Sequence, residues 1–370
     1  MATLQPALPR SMYVDADHFD LEREHVLFRS WFCAGRLSDL GLDGPERLAV
    51  VDVAGESVLL TSDRAGGLHG AYNVCRHRGA QVVPTQAPPC RASALRCPYH
   101  SWTYDLDGRL IKAPHTADVT DFDPADFALH GIGVDSWGGF VFVHLTPAEA
   151  PQLSAELAPF SQRLQRYPLD RLVTGLSFGY VVDANYKVLA ENYNECYHCG
   201  PVHPELTRLV PSFGSGGRAL DWEDGIAHRD GAWTFTTTGT TNRRPFPTLD
   251  ARERTRHKGE LIHPNLWLSC AADHVAAFQL WPLAAGRTRI RCDLLFEPEA
   301  VAAADFDPTD AGDLWDLVNL QDWAICESVQ RGMSSRAYQQ GWFAPMEDAS
   351  ADIRRWLLPR LPGSSSSGAP

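Results

Sequence analysis

No apolar run in this 370-residue chain approaches the ~20 residues that a helical membrane span needs. The opening Met-Ala-Thr-Leu-Gln-Pro-Ala-Leu-Pro-Arg has no apolar h-region, so it does not read as a secretory signal and the expected compartment is the cytoplasm. Positive charge is in short supply: 33 Lys and Arg face 46 Asp and Glu, a formal net charge of −13. A nucleic acid or an anionic membrane needs a basic face, so neither is an expected partner. Nine cysteines without a signal point to metal ligands or buried thiols more than to disulfides. Internal repeats are lacking, and so is a convincing dinucleotide fingerprint. Gly214-Ser-Gly216-Gly-Arg-Ala219 matches the spacing, but it follows Leu-Val-Pro-Ser-Phe rather than a strand and reads as a loop. Without a nicotinamide or flavin site, any reducing electrons must come from a separate protein.

What is present begins with length enough for two domains and an ordinary globular composition, 44% hydrophobic and 21% charged. Residues 1–40 read as an arm and a helix around Asp20–Phe32, with Asp20 at its N-cap. Leu48–Val53 and Ser57–Thr61, joined by Ala-Gly-Glu, read as a hairpin. Trp137–Leu145 is the clearest strand of a small all-β unit of roughly a hundred residues. Pro147–Tyr167 reads as a crossover helix into a second domain. Strands are expected there at Gly175–Val182, Ala232–Thr238, His274–Trp281 and Arg287–Phe296, and a long helix at about Asp313–Arg331. The last residues, 362–370, read as a disordered tail.

Two clusters carry chemistry. The β unit holds Cys75-Arg-His77 and Cys97-Pro-Tyr-His100, with nineteen residues between His77 and Cys97. Each loop offers one thiolate and one imidazole, as a Rieske [2Fe–2S] centre requires: two Cys on one iron, two His on the other. The alternative is a Cys2His2 zinc site, but zinc fingers pair like with like and place the histidines on a helix. Here the ligands alternate, and the second pair runs into a strand and turn. Ala80 and Tyr99 stand where a disulfide beside the cluster would put cysteines, while Cys33 and Cys90 read as structural thiols.

The second cluster lies in Glu191–Pro204, where His198 and His203 stand five apart beside Glu195. On one helix they would diverge by about 140° at ~3.6 residues per turn. Gly200-Pro201 lies between them, and a residue before proline leaves the α region, so the reading is a helix through about His198 and then a break. Two imidazoles invite a carboxylate to complete a facial iron triad. On the closing helix Leu314, Val318, Ile325 and Val329 trace an apolar stripe, and Asp313, Asp316 and Glu327 project to the far side. Asp322 alone sits at the stripe's edge, where a buried carboxylate needs a cation. A rim aspartate in a salt bridge is the alternative. Aromatics gather in the second domain, and Tyr193, Trp267, Phe278 and Trp281 are the candidates for a substrate pocket, an aromatic box that suits a quaternary ammonium. Core packing is the plainer role for them.

Both clusters in this order resemble the α subunits of Rieske non-haem iron ring-hydroxylating oxygenases, along nearly the whole chain. Carried over, Cys75, His77, Cys97 and His100 match the [2Fe–2S] ligands; His198, His203 and Asp322 match the mononuclear Fe2+ ligands. Where most of the family has an aspartate bridging to the Rieske histidine of a neighbouring subunit, this chain has Glu195. Asn-Glu-Cys-Tyr-His and Cys-Glu-Ser-Val-Gln-Arg-Gly look most like the carnitine oxygenase, choline monooxygenase and glycine-betaine demethylase branch.

The resemblance implies an α+β architecture: a Rieske domain at 41–147, a helix-grip catalytic domain at 148–361, and the 1–40 arm packed with the latter. It also implies a homotrimer fed by an NAD(P)H-dependent reductase or ferredoxin. The expected reaction is O2-dependent hydroxylation of a betaine-like N-methyl; an aromatic-ring dioxygenase is the alternative.

Overall fold

A four-stranded antiparallel sheet starts the first of two structural units, and its innermost hairpin follows from the sequence. Arg47–Val53 pairs with Glu56–Ser62 across Ala54-Gly55, both residues at positive φ as a two-residue hairpin turn requires. The computed structural model describes residues 3–217 and 220–362. Within them the chain divides into one unit from Leu27 to Leu157 and another formed by the residues up to Val26 with those from Ala158 onward. The boundaries therefore differ from those expected at 40 and 147. Phe32–Arg36 is a strand that pairs with Phe140–His144, so it belongs to the β unit and not to the arm. The expected crossover helix is instead three short pieces, Pro147–Glu149, Leu153–Glu156 and Ala158–Arg163, separated at Pro151 and Leu157. Proline lacks the N–H that a continuous helix would need.

In the β unit, Leu68–Tyr72 and Cys90–Arg91 flank the hairpin. A small sheet of Leu95–Arg96, Thr103–Tyr104 and Leu110–Lys112 carries the second ligand loop. Trp137–Leu145, expected as one strand, is the end of one and the whole of another: Gly133–Trp137 folds back on Phe140–His144 through Gly138 and Gly139, both at positive φ. A Cβ at Gly139 would also stand 2.5 Å from the Arg36 guanidinium, which would have to shift. The core of this unit gathers Leu48, Leu59, Leu95, Trp102 and Tyr104 around Cys75 and Cys97.

The other unit is built on a six-stranded antiparallel sheet. Its order is Val173–Val182, Arg287–Phe296, Val275–Ala284, Leu266–Cys270, Arg256–Ile262 and Ile226–Ala227. Ala232–Thr238, expected as a strand, is a looped segment. The hydroxyls of Thr236 and Thr238 donate to the Thr240 carbonyl at 2.8 and 3.1 Å. Threonine side chains that bond nearby backbone compete with a sheet ladder in this way. The strands at Arg256–Ile262 and Leu266–Cys270 take its place.

The closing helix runs Thr309–Met333 and packs on Tyr186–Tyr193. The N-terminal helix is Ala16–His25, one turn earlier than expected. Asp15, not Asp20, caps it by accepting from the Asp17 amide at 3.0 Å. The 362–370 tail lies outside the described residues beyond Pro362. Phe213–Ser215 is a single 3-10 turn followed by two left-handed glycines, Gly216 and Gly217, and Ala219 lies outside the described residues.

Candidate metal centres and substrate cavity

The helix Tyr186–Tyr193 starts where Asn185 accepts from the Lys187 amide at 2.9 Å, and it stops five residues before His198. The expected break at Gly200-Pro201 is not where the chain turns. Both lie inside a one-turn helix, Cys199–Val202, with Pro201 in the first turn, where a missing N–H costs nothing. The chain bends instead at His203, whose φ of −120° and ψ of 67° reflect the restriction imposed by Pro204. The result is the one anticipated for the side chains: the two imidazoles lie 5.1 Å apart, nearly edge-to-face.

Asp322 reaches both from the closing helix. Its Oδ1 lies 2.9 Å from His203 Nε2 and 3.3 Å from His198 Nε2. Among the described residues these three are the only set of at least three His, Cys, Asp or Glu whose ligand atoms converge within 4.8 Å. The opposite ring nitrogens are held from behind. His198 Nδ1 meets Glu195 Oε1, while Glu195 Oε2 accepts the Tyr197 and His198 amides. His203 Nδ1 meets Gln321 Oε1 at 2.7 Å. Acceptors on both Nδ1 atoms hold an N–H there and turn both Nε2 atoms toward Asp322, the orientation that metal-binding imidazoles use.

Electrostatics agree with the geometry. Burial disfavours a charge on His198, yet Asp322 and Glu195 outweigh it and raise its pKa to about 11. Burial likewise works against a charged Asp322, but its hydrogen bonds to His198 and His203 hold its pKa below the usual carboxylate value. This pocket therefore demands a positive charge, and a divalent cation on two imidazoles and a carboxylate supplies it.

The closing helix is rotated from the expected pattern. Its buried face runs through Trp315, Val318, Asn319, Trp323, Cys326 and Gln330, whereas Ile325 and Val329 are exposed. Asp316 is not a solvent-facing acid but accepts from the Tyr180 hydroxyl at 2.6 Å, and Glu327 accepts from the Asp183 amide at 3.2 Å. Asp322 lies beside this face, which is why its carboxylate points inward.

In the β unit the two ligand loops are built alike. The Gly79 amide donates to the Cys75 carbonyl at 2.9 Å and the Ser101 amide to the Cys97 carbonyl at 3.1 Å, with Gly79 and Ser101 both left-handed. Cys75 and Cys97 are 2% exposed and pack in the same core cluster. His77 and His100 are exposed, with ring centroids 4.6 Å apart. Loss of solvation, then His77, then Arg78 lower the His100 pKa, so its imidazole is neutral at pH 7 and a nitrogen is free to ligate.

A thiol pair inside and an imidazole pair outside, not four donors around one point, fit two irons rather than a single zinc. The sequence reading missed the supports of this loop pair. Tyr104 lies 3.2 Å from Cys75 Sγ through its hydroxyl, which also accepts from the Arg76 amide. Trp102 stacks under His77 at 5.0 Å.

A cavity of about 610 Å³ opens on His198, His203 and Asp322. Tyr193, Trp267 and Phe278 line it as expected, with Tyr193 stacked on Trp267 at 4.7 Å and anchored by a 2.7 Å hydroxyl bond to Ser269. Trp281 is not among the lining residues; three positions beyond Phe278 on the same strand, it faces the other side of the sheet, beneath the Arg289 guanidinium. Trp315 and Phe235, stacked on each other, also belong to the aromatic wall and were not anticipated. Five carboxylates line the cavity (Glu195, Glu223, Glu260, Asp322 and Asp352) against two guanidiniums. Arg163 is held by Glu260 at 2.6 and 2.7 Å, and Arg355 by Asp348 and Asp352.

Comparison with known proteins matches the same division of the chain. The Rieske [2Fe-2S] domain family covers residues 30–123, and the family described as ring hydroxylating alpha subunit (catalytic domain) covers residues 169–363. The carnitine monooxygenase oxygenase subunit of Acinetobacter pittii is 32% identical, over 90% of this chain and 86% of its own. The glycine betaine monooxygenase oxygenase subunit of Pseudomonas aeruginosa is 29% identical, over 90% of this chain and 84% of its own. A crystal structure of the quaternary ammonium Rieske monooxygenase CntA in complex with gamma-butyrobetaine shares the fold, with a TM-score of 0.74 over 96% of each chain at 23% identity. With its two centres, one for a Rieske [2Fe–2S] cluster and one for mononuclear iron, the chain belongs to the Rieske oxygenases of the ring-hydroxylating α-subunit family.

Proposed function

We propose that this oxygenase hydroxylates an N-methyl group of a quaternary ammonium substrate, with electrons crossing between chains at Glu195. The observation that carries the substrate reading is the cavity lining: aromatic faces, with both guanidiniums already neutralised by carboxylates and Glu223 in the same wall, attract a cation and give an aromatic acid no free cationic partner. Relatives named for glycine betaine and carnitine support it.

His198, His203 and Asp322 would hold the mononuclear iron, and Cys75, His77, Cys97 and His100 the cluster. When bound, the iron centre supplies dioxygen activation and the cluster supplies electrons one at a time. The chain's own residues do the rest. Tyr193, Trp267, Phe278 and Trp315 hold the ammonium by its methyl groups and exclude water. Glu195 and Gln321 keep both imidazoles aimed at Asp322. One oxygen atom enters the C–H bond, and the other leaves as water with two electrons and two protons. The hydroxymethyl ammonium then loses formaldehyde and a proton, leaving the tertiary amine.

Glu195 stands directly behind His198, where its carboxylate can also accept from a Rieske histidine of the next chain in a homotrimer. A reductase or ferredoxin reduces the cluster from outside. The test is a turnover screen with a surrogate reductase, following substrate-dependent NADH and O2 consumption. Formaldehyde from betaine-like ammonium compounds is the expected product. A cis-diol from an aromatic substrate, with no formaldehyde from any ammonium, would overturn the reading.

A further inference from the structure

Two thiols in the wall of the iron cavity have no part in the reaction described above. Cys196 and Cys199 both line it, both are free, and they are 5% and 3% exposed. They bracket Tyr197 and His198, so one of the two imidazoles of the triad lies inside the short loop they delimit. That loop is already closed on the backbone: the Cys199 amide donates to the Cys196 carbonyl at 3.2 Å. An i to i+3 turn of this kind holds its end Cα atoms within about 7 Å, and disulfides span roughly 4.4–6.8 Å between Cα atoms. Both residues line the same cavity.

We propose that Cys196 and Cys199 form a peroxide-driven disulfide that reversibly switches off the mononuclear site. An oxygenase that spends two electrons without hydroxylating its substrate releases hydrogen peroxide, and here the peroxide is released into the cavity these thiols line. Two S–H bonds break and one S–S bond forms. The peroxide O–O bond takes up the two electrons and two protons, and two waters leave. A disulfide fixes its Cβ atoms about 3.8 Å apart with a dihedral near 90°, so the Tyr197-His198 loop must readjust to admit it. His198 moves with that loop, away from Glu195 behind it and Asp322 in front. A displacement of about 1 Å at a catalytic group costs roughly 100-fold in rate.

The experiment treats the iron-loaded enzyme with graded hydrogen peroxide, blocks remaining thiols with an alkylating agent, and maps peptides without reduction. The visible spectrum of the cluster and turnover are recorded on the same samples. The expected result is an internal Cys196–Cys199 link, two hydrogens lighter, that accumulates as turnover falls about 100-fold in the linked fraction. A dithiol reductant then restores both, with the cluster spectrum unchanged. Cys196→Ser and Cys199→Ser, each compared with its own untreated control, lose the reductant-reversible part of the inactivation. If neither variant folds, mapping of the unaltered chain decides alone. Recovery of both residues as alkylated thiols or sulfinic acids in inactivated enzyme overturns the proposal, as does a complete disulfide with undiminished turnover.

Discussion

Glu195 is the residue on which most of the site's geometry converges, because one carboxylate meets the His198 ring and two backbone amides. Its charge reinforces His198 as a ligand, and its position makes it the proposed link to the next chain. Glu195→Ala is expected to retain iron in both centres while coupled turnover drops by about 10–100-fold, the usual cost of removing a group behind a metal ligand. Iron analysis and the ratio of formaldehyde to O2 consumed check this, and full coupled activity in the variant would sink the bridge. His228 illustrates a different kind of residue-scale effect. It is 9% exposed and neither ring nitrogen has a hydrogen-bond partner among the described residues. Burial, with His274 nearby, lowers its pKa to about 4. The unfolded chain protonates this histidine near pH 6.5 whereas the folded one does not, so the unfolded state binds more protons below that value. Stability from this group is complete above about pH 6.5 and is lost as pH falls toward 4, by about 1.4 kcal/mol per pH unit. Urea titrations at several pH values should show that slope reduced by about one proton's worth in His228→Gln. An identical slope in the two proteins would mean that His228 is charged in the folded state.

At the scale of elements, what was legible in the sequence depended on whether local pattern or distant packing set the structure. The hairpin at residues 47–62 and the strand Arg287–Phe296 were readable because β-branched alternation and a short turn are local signals. The closing helix was readable in extent, but its buried face was misplaced. Ile325 and Val329 are as apolar as the positions that are buried, and only the packing of Trp315, Asn319 and Cys326 against the sheet decides which stripe turns inward. Asp322 still reaches both imidazoles, because it borders both stripes. The turn around His203 was found for its outcome and not its cause: of two prolines in the stretch, Pro204 bends the chain and Pro201 is absorbed in a helix. One tie between elements had no sequence signal. Glu22 of the helix Ala16–His25 accepts from Lys187 at 2.7 Å and Tyr186 at 2.9 Å, with Glu22 and Lys187 fully buried. This pair anchors the N-terminal helix to the one that leads into the iron-binding turn. Glu22→Ala leaves an ammonium buried without its partner and should cost about 3–5 kcal/mol. Adding Lys187→Met should recover most of that loss, because the residual charge is gone. Chemical denaturation of the three proteins measures it; a double variant no more stable than Glu22→Ala would show that the pair's hydrogen bonds, not the stranded charge, carry the effect.

The whole molecule poses a question of wiring, since its two centres lie in separate units of one chain. Candidate ligands for both could be named from sequence because cofactor chemistry demands particular residue types at close spacing, as in Cys75-x-His77 and Cys97-x-x-His100. The cavity wall could be named only in part: Trp315 and Phe235 come to it from segments 80 residues apart, and no spacing rule links them. Which chain's cluster serves which iron is a property of assembly, and it can be tested without knowing the assembly's coordinates. Two dead variants are made, Cys75→Ser to remove the cluster and Asp322→Ala to remove the mononuclear iron. If electrons stay within a chain, co-assembled oligomers of the two are as inactive as either parent, because no chain holds both centres. If electrons pass to the next chain, an interface that joins an intact cluster on one copy to an intact triad on its neighbour is functional. In a closed ring of identical head-to-tail contacts with random mixing, about a quarter of the interfaces have that combination. Co-expression of differently tagged copies and tandem purification discard the unmixed oligomers; a mixed trimer has one such interface in three, so turnover near a third of the unaltered enzyme's per chain is expected. Metal analysis of the same preparation establishes that each parent lost only its intended centre. Turnover no greater than that of the separate parents would place the circuit within one chain and remove Glu195 from its proposed role.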